Sequence, residues 1–159
     1  MPAEARTLGV LKEAFAGERR VALTPEIVKK FAGGGAKVLV EPGAGEAASF
    51  PDAAYAAAGA ELTDRVAVLA RADVLFTVRP PPADDVRRLQ RGAVVAGLLD
   101  PFRSRDLLAA LAAQGVSAYA LELLPRTTRA QGMDALSSQA NLAGYRAVIE
   151  GAEAFAPSR

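Results

Sequence analysis

The chain reads as an α/β fold, doubly wound around a mainly parallel sheet, and three observations predict it. Short β-branched or apolar runs alternate with amphipathic, Ala-rich stretches, the pattern of repeated βαβ units. Helix-start residues punctuate the joints between them. The length of 159 residues fits one domain with a core of its own.

The expected strands are Leu8–Leu11, Lys37–Glu41, Val74–Val78, Ala93–Leu98 and Ser117–Ala120. Between them, Thr24 reads as an N-cap with Pro25 at the first helical position. Further helix starts are expected at Ser49 ahead of Pro51, at Thr63 or Asp64, at Ala83 and at Ser104. Gly33, Gly59 and Gly115 end three of these helices as left-handed C-caps would. Pro80, Pro81 and Pro82 fix an extended exit from the third expected strand. A longer helix runs from about Asp134 to Phe155, with Leu136, Ala140, Ala143, Ala147 and Ala154 along it and small Gly144 and Gly151 interspersed. Its length and mixed faces suit a connector, so the chain divides into an α/β domain over 1–133 and a connector helix over 134–159.

Composition removes several functions. Nineteen basic and eighteen acidic residues, well mixed, leave no nucleic-acid stripe and no membrane-attracting block. Histidine and cysteine are both absent, which excludes thiolate sites and leaves only carboxylates for a metal, so no metal is expected. The N-terminus has no h-region of a signal peptide, and no apolar run approaches the roughly eighteen residues of a membrane span. A cytoplasmic location follows, with any membrane role exercised through a partner.

The most informative stretch is Arg126 to Arg146, RTTRAQGMDALSSQANLAGYR. It sets rigid polar groups just ahead of a long helix. Arg126 and Arg129 offer forked donors, Gln131 an amide that donates and accepts, and Asp134, Ser137 and Ser138 acceptors and hydroxyls near the helix start. Such groups suit holding a cofactor better than moving protons. The plainer reading is a capped helix start with solvated arginines.

RAQGMDALSSQANLAGYRAV resembles the segment of the proton-translocating NAD(P) transhydrogenase alpha subunit that precedes its NAD-binding Rossmann domain. GVLKEAFAGERRVALTPEIVKKFAGGGAKVLVEPGAG, Gly9 to Gly45, resembles the signature that this subunit shares with alanine dehydrogenase, and ADVLFTVRPP, Ala72 to Pro81, extends the match. The resemblance implies a Rossmann-like or flavodoxin-like fold. It also implies hydride exchange between NAD(H) and NADP(H) coupled to proton translocation. On that basis Arg126, Gln131, Asp134 and Ser137 match positions facing the nicotinamide end of NAD(H), with most contacts on a Rossmann domain that the chain lacks. Asp134 and Ser137 would take the carboxamide, Arg126 an anionic partner with Asp134 the candidate, and Gln131 would act in catalysis by bridging toward the second nucleotide. NADP(H) would lie on a partner component, the membrane component would be a second partner, and a homodimer is expected. The isolated chain is expected to be inactive. Gly132 departs from the resemblance, which implies a serine there.

Two motifs compete with that reading. Gly43-Ala44-Gly45-Glu46-Ala47-Ala48 matches G-x-G-x-x-A, but Pro42 interrupts the strand-to-turn step, Ser49-Phe50-Pro51 delays the helix, and Glu41 and Glu46 would repel a pyrophosphate. The second is Arg20, which in alanine dehydrogenases matches a substrate-carboxylate arginine; here its alternative is an ion pair with Glu13 or Glu18. That enzyme's pattern also places a lysine near Arg79 and a histidine in LLDPFRSRD, and this chain has neither, so an alanine dehydrogenase substrate domain is the alternative function. A signalling module, the second alternative, needs clustered acids at strand ends; Asp84-Asp85 instead suits a helix N-terminus.

Overall fold

The computed structural model describes residues 6–125 and 127–155. It contains two compact units, Met1–Ala120 and Leu121–Arg159. The expected division at 133/134 concerns a connector to a further domain and is a matter of function rather than of these contacts.

Unit one is a six-stranded sheet in the order β3-β2-β1-β4-β5-β6, parallel at every pairing. This is the Rossmann strand order rather than the flavodoxin one, with the order reversing between β1 and β4. The strands are β1 (Thr7–Val10), β2 (Lys37–Val40), β3 (Glu61–Leu62), β4 (Val74–Phe76), β5 (Val94–Gly97) and β6 (Ser117–Ala120). Five match the expected strands within a residue or two. β3 does not, because two half-buried residues carry no periodicity.

The helices of this unit are α1 (Pro25–Gly33), α2 (Asp52–Ala57), α3 (Arg65–Arg71), α4 (Ala83–Val86) and α5 (Arg105–Gln114). Side chains alternate across the strands into two cores. Leu8, Val10, Val38 and Val40 face one core with Val28 of α1 and Tyr55 of α2. Leu39, Leu75 and Val95 face the other with Val68 and Leu69 of α3, Val86 of α4 and Leu107 and Leu111 of α5. Gly9 lets α3 approach β1: a Cβ there would lie 2.9 Å from both Ala72 Cβ and Val68 Cγ1.

Several caps differ from the sequence reading. Thr24 and Ser104 occupy N-cap positions, but neither side chain caps its helix, whereas the Asp64 carboxylate accepts from Ala67 N at 2.9 Å. Ser49 does not start a helix. It sits in the left-handed region at φ 67° after a 3-10 turn over Glu46–Ala48, and α2 begins at Asp52 because Pro51 supplies the extended lead-in. Gly33 is the last residue of α1, and the left-handed turn falls at Gly35, φ 87°, because Gly34 already closes the helix through bonds to Lys30 and Phe31 carbonyls.

Unit two holds 3-10 segments over Leu121–Leu123 and Thr128–Met133, followed by α6 (Ala135–Ala154), 20 residues long. Asp134 caps α6, as its position in the sequence suggests.

Gly97, the last residue of β5, lies against Thr77. A Cβ there would overlap the Thr77 carbonyl oxygen and sit 2.5 Å from Thr77 Oγ1, and backbone cannot yield as a flexible side chain would. Gly97→Ala should therefore lower stability by about 3 kcal/mol through overpacking, read as a shifted urea midpoint with unchanged slope.

Candidate functional site

Ligands of open parallel sheets ordinarily sit at the carboxyl ends of the strands, where the order reverses. In unit one that place lies between the loops after β1 and β4, lined by Leu11, Glu13, Arg65, Thr77, Arg79 and the three prolines. The free volume there is only about 10 Å³, roughly what one water needs. Some of its polar groups are turned on one another, while Thr77 Oγ1 and Arg79 Nε are buried without a hydrogen bond among the described residues. Glu13 accepts N–H bonds from Val78 at 2.6 Å and Arg79 at 3.1 Å, and burial pushes its carboxyl up despite them. Arg79 stacks over Phe15, 4.3 Å from the ring centre.

Arg20, the candidate carboxylate binder, is held by Glu18: Nη2 donates to Oε2 at 2.6 Å and Nε to Oε1 at 2.8 Å. The Glu18 side chain is 8% exposed, and Arg79 Nε lies 4.0 Å from the same Oε2. The Arg20 hydrogen bonds hold the Glu18 carboxyl down at about 2. Of the two partners expected for Arg20, the structure selects Glu18. Asp84 pairs with Arg87 at the start of α4, while Asp85 is buried and gripped by Arg65, a role that a helix-end charge alone does not suggest.

The Gly43 loop is not a pyrophosphate-binding turn. Gly43 N donates to Asp52 Oδ1 at 2.8 Å, so an internal carboxylate takes its amide. Gly45 is packed against Tyr55, where a Cβ would fall 2.5 Å from the ring, and the next α-helix begins only at Asp52.

The open cavity lies in unit two, with a volume of about 330 Å³. Its lining includes Thr127, Thr128, Gln131, Asp134 and Ser137. Three of the four expected cofactor residues, Gln131, Asp134 and Ser137, are thus brought together; Arg126 lies outside the described residues. Local structure explains the convergence. In a 3-10 helix side chains three apart eclipse, so Thr128 and Gln131 share one face, and Asp134 continues the row as α6 begins. Asp134 then fixes the first turn of α6, accepting from Ser137 N at 2.9 Å and Ser137 Oγ at 2.5 Å. Ser138 Oγ donates to the Asp134 carbonyl at 3.1 Å. The side chains of Gln131 and Thr128 make no hydrogen bond among the described residues. The two threonines are missed by sequence reasoning, for which the only signal is the spacing of three from Thr128 through Ser137.

Among the described residues no cluster of metal-ligating side chains occurs, and no helix is long and apolar enough to cross a membrane.

Fold and cavity together define a domain of Rossmann strand order whose accessible polar groups follow the sheet in sequence, in a short amide- and hydroxyl-lined segment without histidine or cysteine. Known proteins narrow this. The family described as Alanine dehydrogenase/PNT, N-terminal domain, matches residues 9–143, and the chain belongs to that family. It is 47% identical over 155 residues to the NAD(P) transhydrogenase alpha subunit, first portion, of Rhodospirillum rubrum, covering 94% of this chain and 40% of that protein. Alanine dehydrogenase of Halomonas elongata is more distant, 35% identical over 149 residues, covering 93% of this chain and 40% of the relative. Among solved structures, the transhydrogenase from Sinorhizobium meliloti matches with TM-score 0.88 and 43% identity, over 93% of this chain and 44% of that one. The chain thus spans about 40% of the length of these curated relatives.

The Glu18 carboxyl, lowered from 4.5 to about 2, stabilises the fold fully above pH 4.5 and loses that contribution as pH falls toward 2. Glu61, also near 2 through its Arg71 and Lys37 partners, titrates in the same window. Glu18→Gln should therefore be less stable than the parent at pH 7 and lose less between pH 4.5 and 2. Denaturation midpoints across that range, parent against variant, isolate the Glu18 share.

Proposed function

We propose that this chain is the first domain of the NAD(H)-binding component of a transhydrogenase, exchanging hydride between NAD(H) and NADP(H) in an assembly coupled to proton translocation. The observation that carries the reading is the cavity on which Gln131, Asp134 and Ser137 converge. Its volume of about 330 Å³ is at the lower end for ligand sites, enough for a nicotinamide ring with its carboxamide but not for a whole dinucleotide. The adenosine and pyrophosphate are assigned to a following Rossmann domain, in keeping with the greater length of the relatives. Residues 134–159 serve as the connector to it. NADP(H) belongs to a partner component, a membrane component supplies the proton path, and the assembly is a homodimer on the cytoplasmic side of the membrane.

The nicotinamide ring supplies the hydride chemistry when bound. The protein's own task is positional. Asp134 and Ser137, already ordered by the cap, present a fixed acceptor and hydroxyl to the carboxamide. Arg126 is assigned to an anionic partner on the strength of the sequence. Gln131, whose amide is not engaged elsewhere among the described residues, is assigned to the face turned toward the second nucleotide. No group here must titrate, which agrees with the absence of histidine. An alanine dehydrogenase domain is less well supported, since Glu18 holds Arg20 in two hydrogen bonds and no proton acceptor with a near-neutral ordinary pKa is present.

The chain alone should bind NADH only weakly, because most of the cofactor's contact surface lies elsewhere. Calorimetry giving a dissociation constant of about 1 μM or tighter, some 8 kcal/mol, would overturn this division of the cofactor.

In the complete assembly, Gln131→Leu should slow hydride transfer about ten- to a thousandfold, roughly 1.4 to 4 kcal/mol of barrier, while leaving NADH affinity nearly unchanged. Asp134→Asn should weaken NADH binding as well. A group acting only when both nucleotides are juxtaposed shows its loss in the chemical step and not in the binary complex. Stopped-flow rates and binary affinities measured on the same preparations separate the two; equal losses for Gln131→Leu would reduce it to a binding residue.

A further inference from the structure

We infer that Thr128 is a ribose-recognising residue of the nicotinamide site, a role that rests on the cavity's assignment to nicotinamide. Thr128, Gln131 and Asp134 recur every third residue along the 3-10 segment Thr128–Met133 and its junction with α6. A 3-10 helix rises about 2 Å per residue with eclipsed side chains at i and i+3, so these positions form one row with steps of about 6 Å. All three line the same cavity, as does Ser137 one further step along.

The row has an occupied end and an open one. At Asp134 the carboxylate is engaged by Ser137 N and Ser137 Oγ, which orients it for a planar amide. At the other end the Thr128 hydroxyl makes no hydrogen bond among the described residues, and the intervening Gln131 amide makes none either. A ligand laid along the row meets a fixed acceptor first, a free amide next and a free hydroxyl last. Nicotinamide nucleoside has the same order of chemistry: carboxamide, ring, then a sugar carrying vicinal hydroxyls. With the carboxamide at Asp134 and the ring beside Gln131, the sugar falls at Thr128, within the two steps or about 12 Å that the row provides. A hydroxyl that both donates and accepts suits a sugar hydroxyl there. Thr127 lines the cavity as well but lies out of phase with the row.

The test uses two cationic probes that differ only in the sugar, N-methylnicotinamide and nicotinamide riboside, titrated into the chain and followed by amide NMR shifts. The parent should bind the riboside about fivefold more tightly, the worth of one ordinary hydrogen bond. Thr128→Val should abolish that advantage while leaving N-methylnicotinamide unchanged, and Thr128→Ser should keep it. If Asp134→Asn weakens both probes but Thr128→Val alters neither, the ribose role is wrong and the nicotinamide site stands. Equal weakening of both probes by Thr128→Val would also overturn the ribose role, making the residue a support of the cavity. If neither probe shifts the resonances of the cavity residues, the nicotinamide assignment and this inference fall together.

Discussion

The guanidinium of Arg65 ties α4 to the paired ends of β1 and β2 at one point. At the start of α3 it donates to Glu41 at the end of β2, at 2.8 Å, to the Lys12 carbonyl after β1, at 3.1 Å, and to Asp85 in α4, at 2.6 Å. Glu41 in turn accepts from Lys12 N at 2.8 Å. Asp85 is 7% exposed, and burying a carboxylate at that depth is costly unless it is paired. Opposite charges on both sides raise the Arg65 pKa against the cost of its burial. Parallel strands need both faces covered, and their carboxyl ends need the connecting loops drawn in. Arg65 draws in the loops at the reversal of strand order, and the prolines after β4 complete the closure.

That closure decides where chemistry can occur. Around the reversal point several groups are tied to one another: Glu18 takes Arg20, Glu13 takes the Val78 and Arg79 amides, and the remaining free volume suits about one water, although Thr77 Oγ1 and Arg79 Nε are buried without a hydrogen bond among the described residues. A substrate would have to displace ion pairs to enter. In unit two the arrangement is opposite, because the short 3-10 segment presents the Gln131 amide and the Thr128 hydroxyl, neither hydrogen-bonded among the described residues, to an open cavity some thirtyfold larger, about 330 against 10 Å³. The fold's usual ligand-binding edge is thus filled, and the larger cavity lies in the segment that follows the sheet.

Most of the fold was legible because burial on both faces forces parallel strands to be continuous apolar runs, as KVLV at β2 and VVAG at β5 are. β3 was not legible, since its Glu61 and Leu62 are half-buried at the sheet edge. Punctuation was readable where a side chain makes the cap, as at Asp64 and Asp134, and misleading where backbone alone decides, as at Ser49 and Gly35. In the cavity, Gln131, Asp134 and Ser137 were legible through resemblance. Thr128 was not, because its place depends on the chain winding with three residues per turn, and sequence periodicity is read at two or at 3.6.

Asp134 joins the two properties of unit two. Its carboxylate closes the first turn of α6, and the same carboxylate forms a wall of the cavity. A six-residue 3-10 segment is longer than such segments usually run, and it ends where this cap begins. The helix beyond has no buried residue, with Tyr145 at 72% and Phe155 at 89% exposure. A helix with no buried residue gains little from tertiary packing, so its first turn depends heavily on capping. Any contact that rigidifies α6 therefore also steadies Asp134, a wall of the cavity. The order of the helix start and the shape of the cavity thus meet in one side chain.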